Sequence, residues 1–205
     1  MIKKSPYLIL IAITSIGFVK QNETYQNKVL TDGNKVLKYT IHFDIPTSWV
    51  SGAGSNIILG SFKVNNGIDN ANLEITCSPS QAYMKDHPDG DTSSLIKTFQ
   101  LMKMQIEKQL TQKNISPNFF LKYVTSNQII NNKKFDLIVY EQEIYKNSSQ
   151  RRGLYGITKV YILKLKENII NFTFSYFNND KENAQATSEK YKSLESHMLN
   201  SIKVD

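Results

Sequence analysis

Apolar and polar residues alternate with a period of two in segment after segment of this chain. That rhythm constrains the fold more than any other feature, because it puts one face of an extended backbone in a core and the other toward water. In Tyr39–Pro46, Tyr39, Ile41, Phe43 and Ile45 alternate with Thr40, His42 and Asp44 until Pro46 ends the run. The next segment places Ile58, Phe62 and Val64 on one face with Gly60 between them. A strong turn signal, Asn-Asn-Gly-Ile-Asp-Asn, then leads to a hairpin partner in which Ala71, Leu73, Ile75 and Cys77 share a face. Four more strands are predicted over 119–127, 134–145, 155–165 and 168–177. The last is the clearest, with Ile170, Phe172, Phe174 and Tyr176 set against Asn171, Thr173 and Ser175. The short links between consecutive strands dictate antiparallel pairing.

Two segments change period. Leu95, Phe99, Met102, Ile106 and Leu110 recur at helical spacing, behind capping oxygens from Asp91, Thr92 and Ser93 and ahead of Asn114 and Pro117. Ala184, Thr187, Tyr191, Leu194, Met198 and Ile202 form a second stripe over about 181–202. The expected fold class is α+β: an antiparallel sheet whose apolar faces are covered by helices, on both sides at its centre, where Tyr155–Leu165 carries apolar residues on both faces. Residues 39–205 read as one domain without internal repeats, and a length of 205 residues suits one domain.

The N-terminus has a different character. Lys3 and Lys4 precede an apolar stretch of 14 residues, Pro6–Val19. A helix of that length reaches about 21 Å, short of the roughly 30 Å hydrocarbon core of a bilayer. A charged start and a short apolar run describe a signal peptide over residues 1–19, with Ser15 and Gly17 offering a cleavage site. An uncleaved N-terminal anchor and a buried first helix are the other readings. Residues 20–38 are polar and read as a linker. The expected location is extracytoplasmic, periplasmic or secreted, with membrane contact only through residues 1–19 if they are retained. The single cysteine, Cys77, sits on an apolar strand face and is read as a small buried hydrophobe.

The pattern F-x-I-P-x-x-W, here Phe43, Ile45, Pro46 and Trp49, resembles the opening of PsbP-like domains. So does the order that follows: a mid-chain helix, an antiparallel meander and a closing helix that ends near Ser201, Ile202 and Lys203. The resemblance spans about residues 37–204. It departs at Ser48, where family members often carry glycine. It implies an α/β/α sandwich, a fold shared by photosystem II extrinsic subunits, a Ran-binding nuclear import factor and exported bacterial proteins. It also implies a binding or accessory module rather than an enzyme, and it transfers no site residue.

The residues themselves point the same way. The formal charge is +7, yet Arg151 and Arg152 are the only arginines among 25 basic residues, and the lysines are scattered. Nucleic-acid readers lean on the planar arginine fork, so no nucleic-acid partner is expected. His42, His87 and His197 lie in unrelated elements, so no metal site is expected. The acidic run Asp86–Asp91 fails the spacing of an EF-hand and reads as a loop capping the next helix. Gly52–Ser55 lacks the context of a nucleophile elbow, and no phosphate-binding lysine motif or cofactor signature occurs. Glu141 and Glu143 share a strand face, an arrangement more usual for a solvated sheet than for a glycosidase pair. No catalytic residue is assigned. Arg151 and Arg152, adjacent in a hairpin loop, are candidates for binding an anionic group or a partner's acidic patch. Trp49 is a candidate either for a core anchor or for the wall of an aromatic groove. The expectation is a non-enzymatic cell-envelope accessory or binding protein, its partner an envelope protein or a small ligand. The competing reading is a small envelope hydrolase whose site assembles only in three dimensions; a concave pocket where titratable groups meet with shifted pKa values separates the two.

Overall fold

The computed structural model describes residues 23–31, 37–52, 58–64, 70–80, 119–144 and 154–205, together with positions 104 and 108. Among them the strands are β1 (Tyr25–Leu30), β2 (Ile41–Pro46), β3 (Trp49–Ser51), β4 (Ile58–Val64), β5 (Asn70–Pro79), β6 (Phe119–Ile130), β7 (Lys133–Ile144), β8 (Leu154–Lys164), β9 (Asn168–Asn178) and β10 (Lys203–Val204). Helices α1 (Lys181–Lys190) and α2 (Lys192–Ser201) lie between β9 and β10. The described part of the chain is thus mostly antiparallel sheet with two C-terminal helices. The predicted signal peptide, the mid-chain helix over 95–110 apart from positions 104 and 108, and the acidic run Asp86–Asp91 lie outside the described residues.

The period-two segments form a seven-stranded sheet of order β3-β4-β5-β9-β8-β7-β6, antiparallel throughout. Register carries the alternation across it. Leu73 faces Phe174, which faces Lys159, which faces Val139; one row on, Ile75, Phe172, Tyr161 and Leu137 line up. All of these except Lys159 and Val139 are buried. Each large apolar side chain withdrawn from water in this way contributes about 1.5–3 kcal/mol. The opposite face holds a smaller cluster of Ile138, Ile162 and Ile169, so the sheet centre is buried on both sides.

The β6–β7 connection is a two-residue turn, Asn131-Asn132, with φ of 47° and 60°. Both residues occupy the left-handed region that a type I′ hairpin turn requires and that asparagine tolerates. The hairpin therefore closes more tightly than the predicted strand ends at 127 and 134 imply.

Strand β2 does not join the main sheet. Pro46 ends it, Thr47 and Ser48 turn the chain, and Trp49 starts a new strand paired with β4. β2 instead lies at the centre of a three-stranded sheet of order β1-β2-β10. Here the linker expected over residues 20–38 is corrected: residues 25–30 form β1, and Leu30 and Leu37 are buried in the core. The segment is polar because β1 is an edge strand, paired on one side only among the described strands.

The closing helix is interrupted at Tyr191. Asp180 caps α1 by accepting from the Asn183 N–H at 2.8 Å. Main-chain bonds from Tyr191 N to Thr187 O (3.2 Å) and from Glu195 N to Tyr191 O (2.9 Å) run through the break. The stripe therefore keeps one phase, and Ala184, Thr187, Tyr191, Met198 and Ile202 are all buried. α1 covers β8 and β9, while α2 lies against β2, so the helices join the two sheets around one core.

Candidate functional site

Two charged residues sit where the alternation calls for apolar ones. On β8, Tyr155, Ile157, Lys159 and Tyr161 share the core-facing side, and the third of them is a lysine. On α2, Glu195 lies one turn after the buried Tyr191 and one turn before the buried Met198. The two stripes face each other, and the charges meet. Glu195 is only 4% exposed. Its Oε2 accepts from Lys159 Nζ at 2.9 Å and from the Tyr176 hydroxyl at 2.8 Å, and its Oε1 accepts from the Tyr161 hydroxyl at 2.5 Å. Every donor aimed at the carboxylate is a group it needs, because a buried charge is tolerated only when paired and hydrogen-bonded.

The rings around this network fix it in place. Tyr161 meets Phe135 and Phe174 edge-on at 6.3 and 6.0 Å. Tyr176 stacks on Tyr191 at 6.4 Å, and Lys159 Nζ lies 5.5 Å from the centre of the Tyr176 ring. Burial, reinforced by the Glu195 charge, holds the Tyr161 and Tyr176 hydroxyls far above the ordinary tyrosine pKa. Both stay protonated and act as donors.

Above the network opens a pocket of about 500 Å³ between α2 and the β6–β8 edge of the sheet. Lys159, Tyr161 and Glu195 form one wall. Ile130, Leu137, Val139 and Leu199 supply an apolar surface, and Gln128, Asn131, Lys192, Ser196 and Asn200 a polar rim. The Asn131 side-chain amide donates to the Asn200 carbonyl at 2.9 Å, tying the hairpin turn to the end of α2 and closing that end of the pocket. The volume falls in the range of small-ligand sites, and the lining combines an apolar surface with a few converging polar groups.

The residues singled out from sequence fall elsewhere. Arg151 and Arg152 lie outside the described residues. Trp49 is 3% exposed and meets Tyr191 edge-on at 5.9 Å, the geometry of a core anchor rather than a groove wall. Cys77 is buried. Glu141 accepts from the Tyr155 hydroxyl and lies 3.8 Å from Lys181 Nζ. His42 Nε2 lies 3.2 Å from Asp205; His197 Nε2 lies 3.4 Å from Asp44, and its ring stacks on Tyr25 at 3.8 Å. Both histidines fasten the small sheet. Among the described residues there is no cluster of three or more His, Cys, Asp or Glu placed to hold a metal, and no helix long and apolar enough to cross a membrane.

No family model and no curated protein matches the chain. Among solved structures, similarity extends to LpqN, involved in cell envelope biogenesis of Mycobacterium tuberculosis, at 10% identity and a TM-score of 0.42, over 88% of this chain and 91% of that one. It extends also to the Ran-binding protein Mog1p of Saccharomyces cerevisiae, at 11% identity and a TM-score of 0.40, over 88% of this chain and 96% of that one. Similarities of this degree carry no argument about role.

Proposed function

We propose that this chain is an exported, non-enzymatic binding module of the cell envelope, a PsbP-like α/β/α sandwich that holds its ligand in the pocket between α2 and strands β6–β8. Export is supported by the charged start and short apolar run of residues 1–19. The observation that carries the binding reading is the set of three donors already engaged by Glu195. Its two oxygens already accept three hydrogen bonds, from Lys159, Tyr161 and Tyr176. A carboxylate so occupied is a poor general base, and hydroxyls whose pKa is raised are poor nucleophiles and poor acids near neutral pH. What this wall offers a ligand is fixed polarity. Lys159 has two N–H donors beyond the one given to Glu195, beside the apolar surface of Leu137 and Val139. That combination suits a molecule with an apolar body and an acceptor group.

The hydrolase reading keeps one observation in its favour: a carboxylate, an amine and a phenol do converge on one pocket wall, and two phenols have shifted pKa values. The direction of those shifts, away from neutrality, argues against it. A photo-crosslinking residue at Ser196, on the rim, separates the readings when the full chain is made in its native host. We expect an adduct at Ser196 and none at Lys166 in the β8–β9 turn, with the captured molecule intact in mass. A captured molecule that has been cleaved overturns the non-enzymatic reading, and the absence of any Ser196-specific adduct overturns the pocket as a binding site.

A further inference from the structure

From Val124 to its end, the long strand beside the pocket carries none of the usual edge guards among the described residues. β6 is the last strand of the seven-stranded sheet, paired with β7 alone among the described strands. Its register runs from Phe119↔Ile144 to Ile130↔Lys133 without a bulge. Val124 is 58% exposed and Ile129 79% exposed, and the residues between Ser126 and Ile129 are exposed as well. From Val124 to Asn132 there is no charged residue and no proline. Natural sheet edges are ordinarily protected by lysines, prolines, bulges or a covering element. An edge stretch without a bulge that keeps two large apolar side chains in water is a template for another strand.

The pocket opens directly beside this edge. The β6 residues Gln128, Ile129 and Ile130 belong to its lining, and the apolar patch of Leu137 and Val139 lies one strand further in. A strand added outside β6 would therefore have its alternate side chains directed toward the pocket mouth.

Charge selects the occupant. β6 carries Lys122 and no acidic residue, Lys133 and Lys134 open β7 beside it, and Glu195, the carboxylate on the pocket wall, is already taken by Lys159. A second copy of the chain is the weaker occupant, since both copies have a formal charge of +7, or 7 − 2 = +5 once Lys3 and Lys4 leave with residues 1–19, and would bring the same lysine-flanked edges together. We infer that β6 is the docking edge for an extended, net-acidic peptide segment of another protein, which adds as an eighth strand and sets one bulky apolar side chain into the adjoining pocket. The inference rests on the reading of that pocket as a binding site and names the class of its ligand.

The test is selection of a phage-displayed library of random linear peptides on the full chain, followed by synthesis of an enriched peptide and measurement of its affinity by fluorescence anisotropy. Enriched sequences should be net acidic with an apolar residue at alternate positions. N-methylation of alternate peptide nitrogens, which removes main-chain donors and leaves the side chains, should weaken binding at least about tenfold. Val124→Lys and Ile129→Lys, which place guards on exposed positions, should weaken it similarly while leaving the far-ultraviolet spectrum and melting temperature of the protein unchanged. Ser196→Trp, which fills the pocket from the helix side, should do the same. Binding that is lost with Ser196→Trp but indifferent to N-methylation overturns strand addition and leaves the pocket reading standing. Failure to enrich any peptide overturns the inference. So does a dimer in sedimentation that Val124→Lys and Ile129→Lys dissolve, since the edge would then belong to a second copy.

Discussion

Glu195 gathers three donors in the core, and its neighbours give it a measurable signature. Tyr161 and Tyr176 have hydroxyls whose folded pKa lies above the unfolded value of 10.0, first because they are buried and then because a carboxylate faces them. A raised pKa leaves the stability contribution intact below pH 10, where both states are protonated. As pH rises past 10 the unfolded chain releases these protons and the folded one does not, so stability falls. Two such groups give an added slope of about 2.7 kcal/mol per pH unit. The melting temperature between pH 9.5 and 11.5 should therefore drop more steeply in the wild type than in the Tyr161→Phe, Tyr176→Phe double variant. Parallel curves would show that the phenols are not held as described. The site was legible in principle, from a lysine at a core position of β8 and a glutamate inside the apolar stripe of α2. Each looks like an isolated irregularity in its own element. Only the packing of α2 across β8 shows that they are partners, whereas Arg151 and Arg152 stand out in the sequence as the only arginines, adjacent in a predicted hairpin loop.

At the scale of elements, the β6–β7 hairpin bounds the pocket, and its turn sets its register. Asn132, at φ 60°, holds a conformation that glycine adopts freely and a β-branched residue resists. Asn132→Gly should stabilise the fold by about 0.5–1 kcal/mol and Asn132→Val should destabilise it by about 1–2 kcal/mol, read from urea midpoints at constant slope. Asn131 is left intact because its side chain reaches the Asn200 carbonyl. The reverse order of the two midpoints would mean that the turn is not of the left-handed kind. Long half-buried strands such as β5 and β9 announce themselves by period two, because one face of each is in the core and the other is less buried. β1 does not: it is an edge strand in which Gln26, Asn27 and Lys28 run consecutively between Tyr25 and Val29. β3 and β10 run for three and two residues, too short for any period to register. The break at Tyr191 is equally silent, since the helical stripe passes through it in phase.

Over the whole molecule the two sheets share one core among the described residues, and the C-terminal segment is what clasps them. Ile202 leaves α2 into the core at 1% exposure, in the same cluster as Phe43 of the small sheet and Phe172 of the large one. Directly after it β10 pairs with β2, Thr40 and Asp205 exchange main-chain hydrogen bonds at 3.0 Å in both directions, and Ser201 Oγ accepts from the Asp44 N–H at 2.8 Å. Loss of a buried isoleucine side chain alone costs about 2–5 kcal/mol. For a chain of this size that corresponds to roughly 6–12 °C in melting temperature, counting about 3 kcal/mol and 2–4 °C for each. Deleting residues 202–205 should produce a drop of that order or larger. Asp205→Ala should change little, because the pair it breaks with His42 is largely in solvent and such pairs contribute about 0–1 kcal/mol. In calorimetry the full chain should melt in a single transition, because the shared core leaves neither sheet able to unfold alone. Two separated transitions, or a truncated chain that melts with the full one, would mean that the small sheet is an independent appendage and that α2 is held by the large sheet alone.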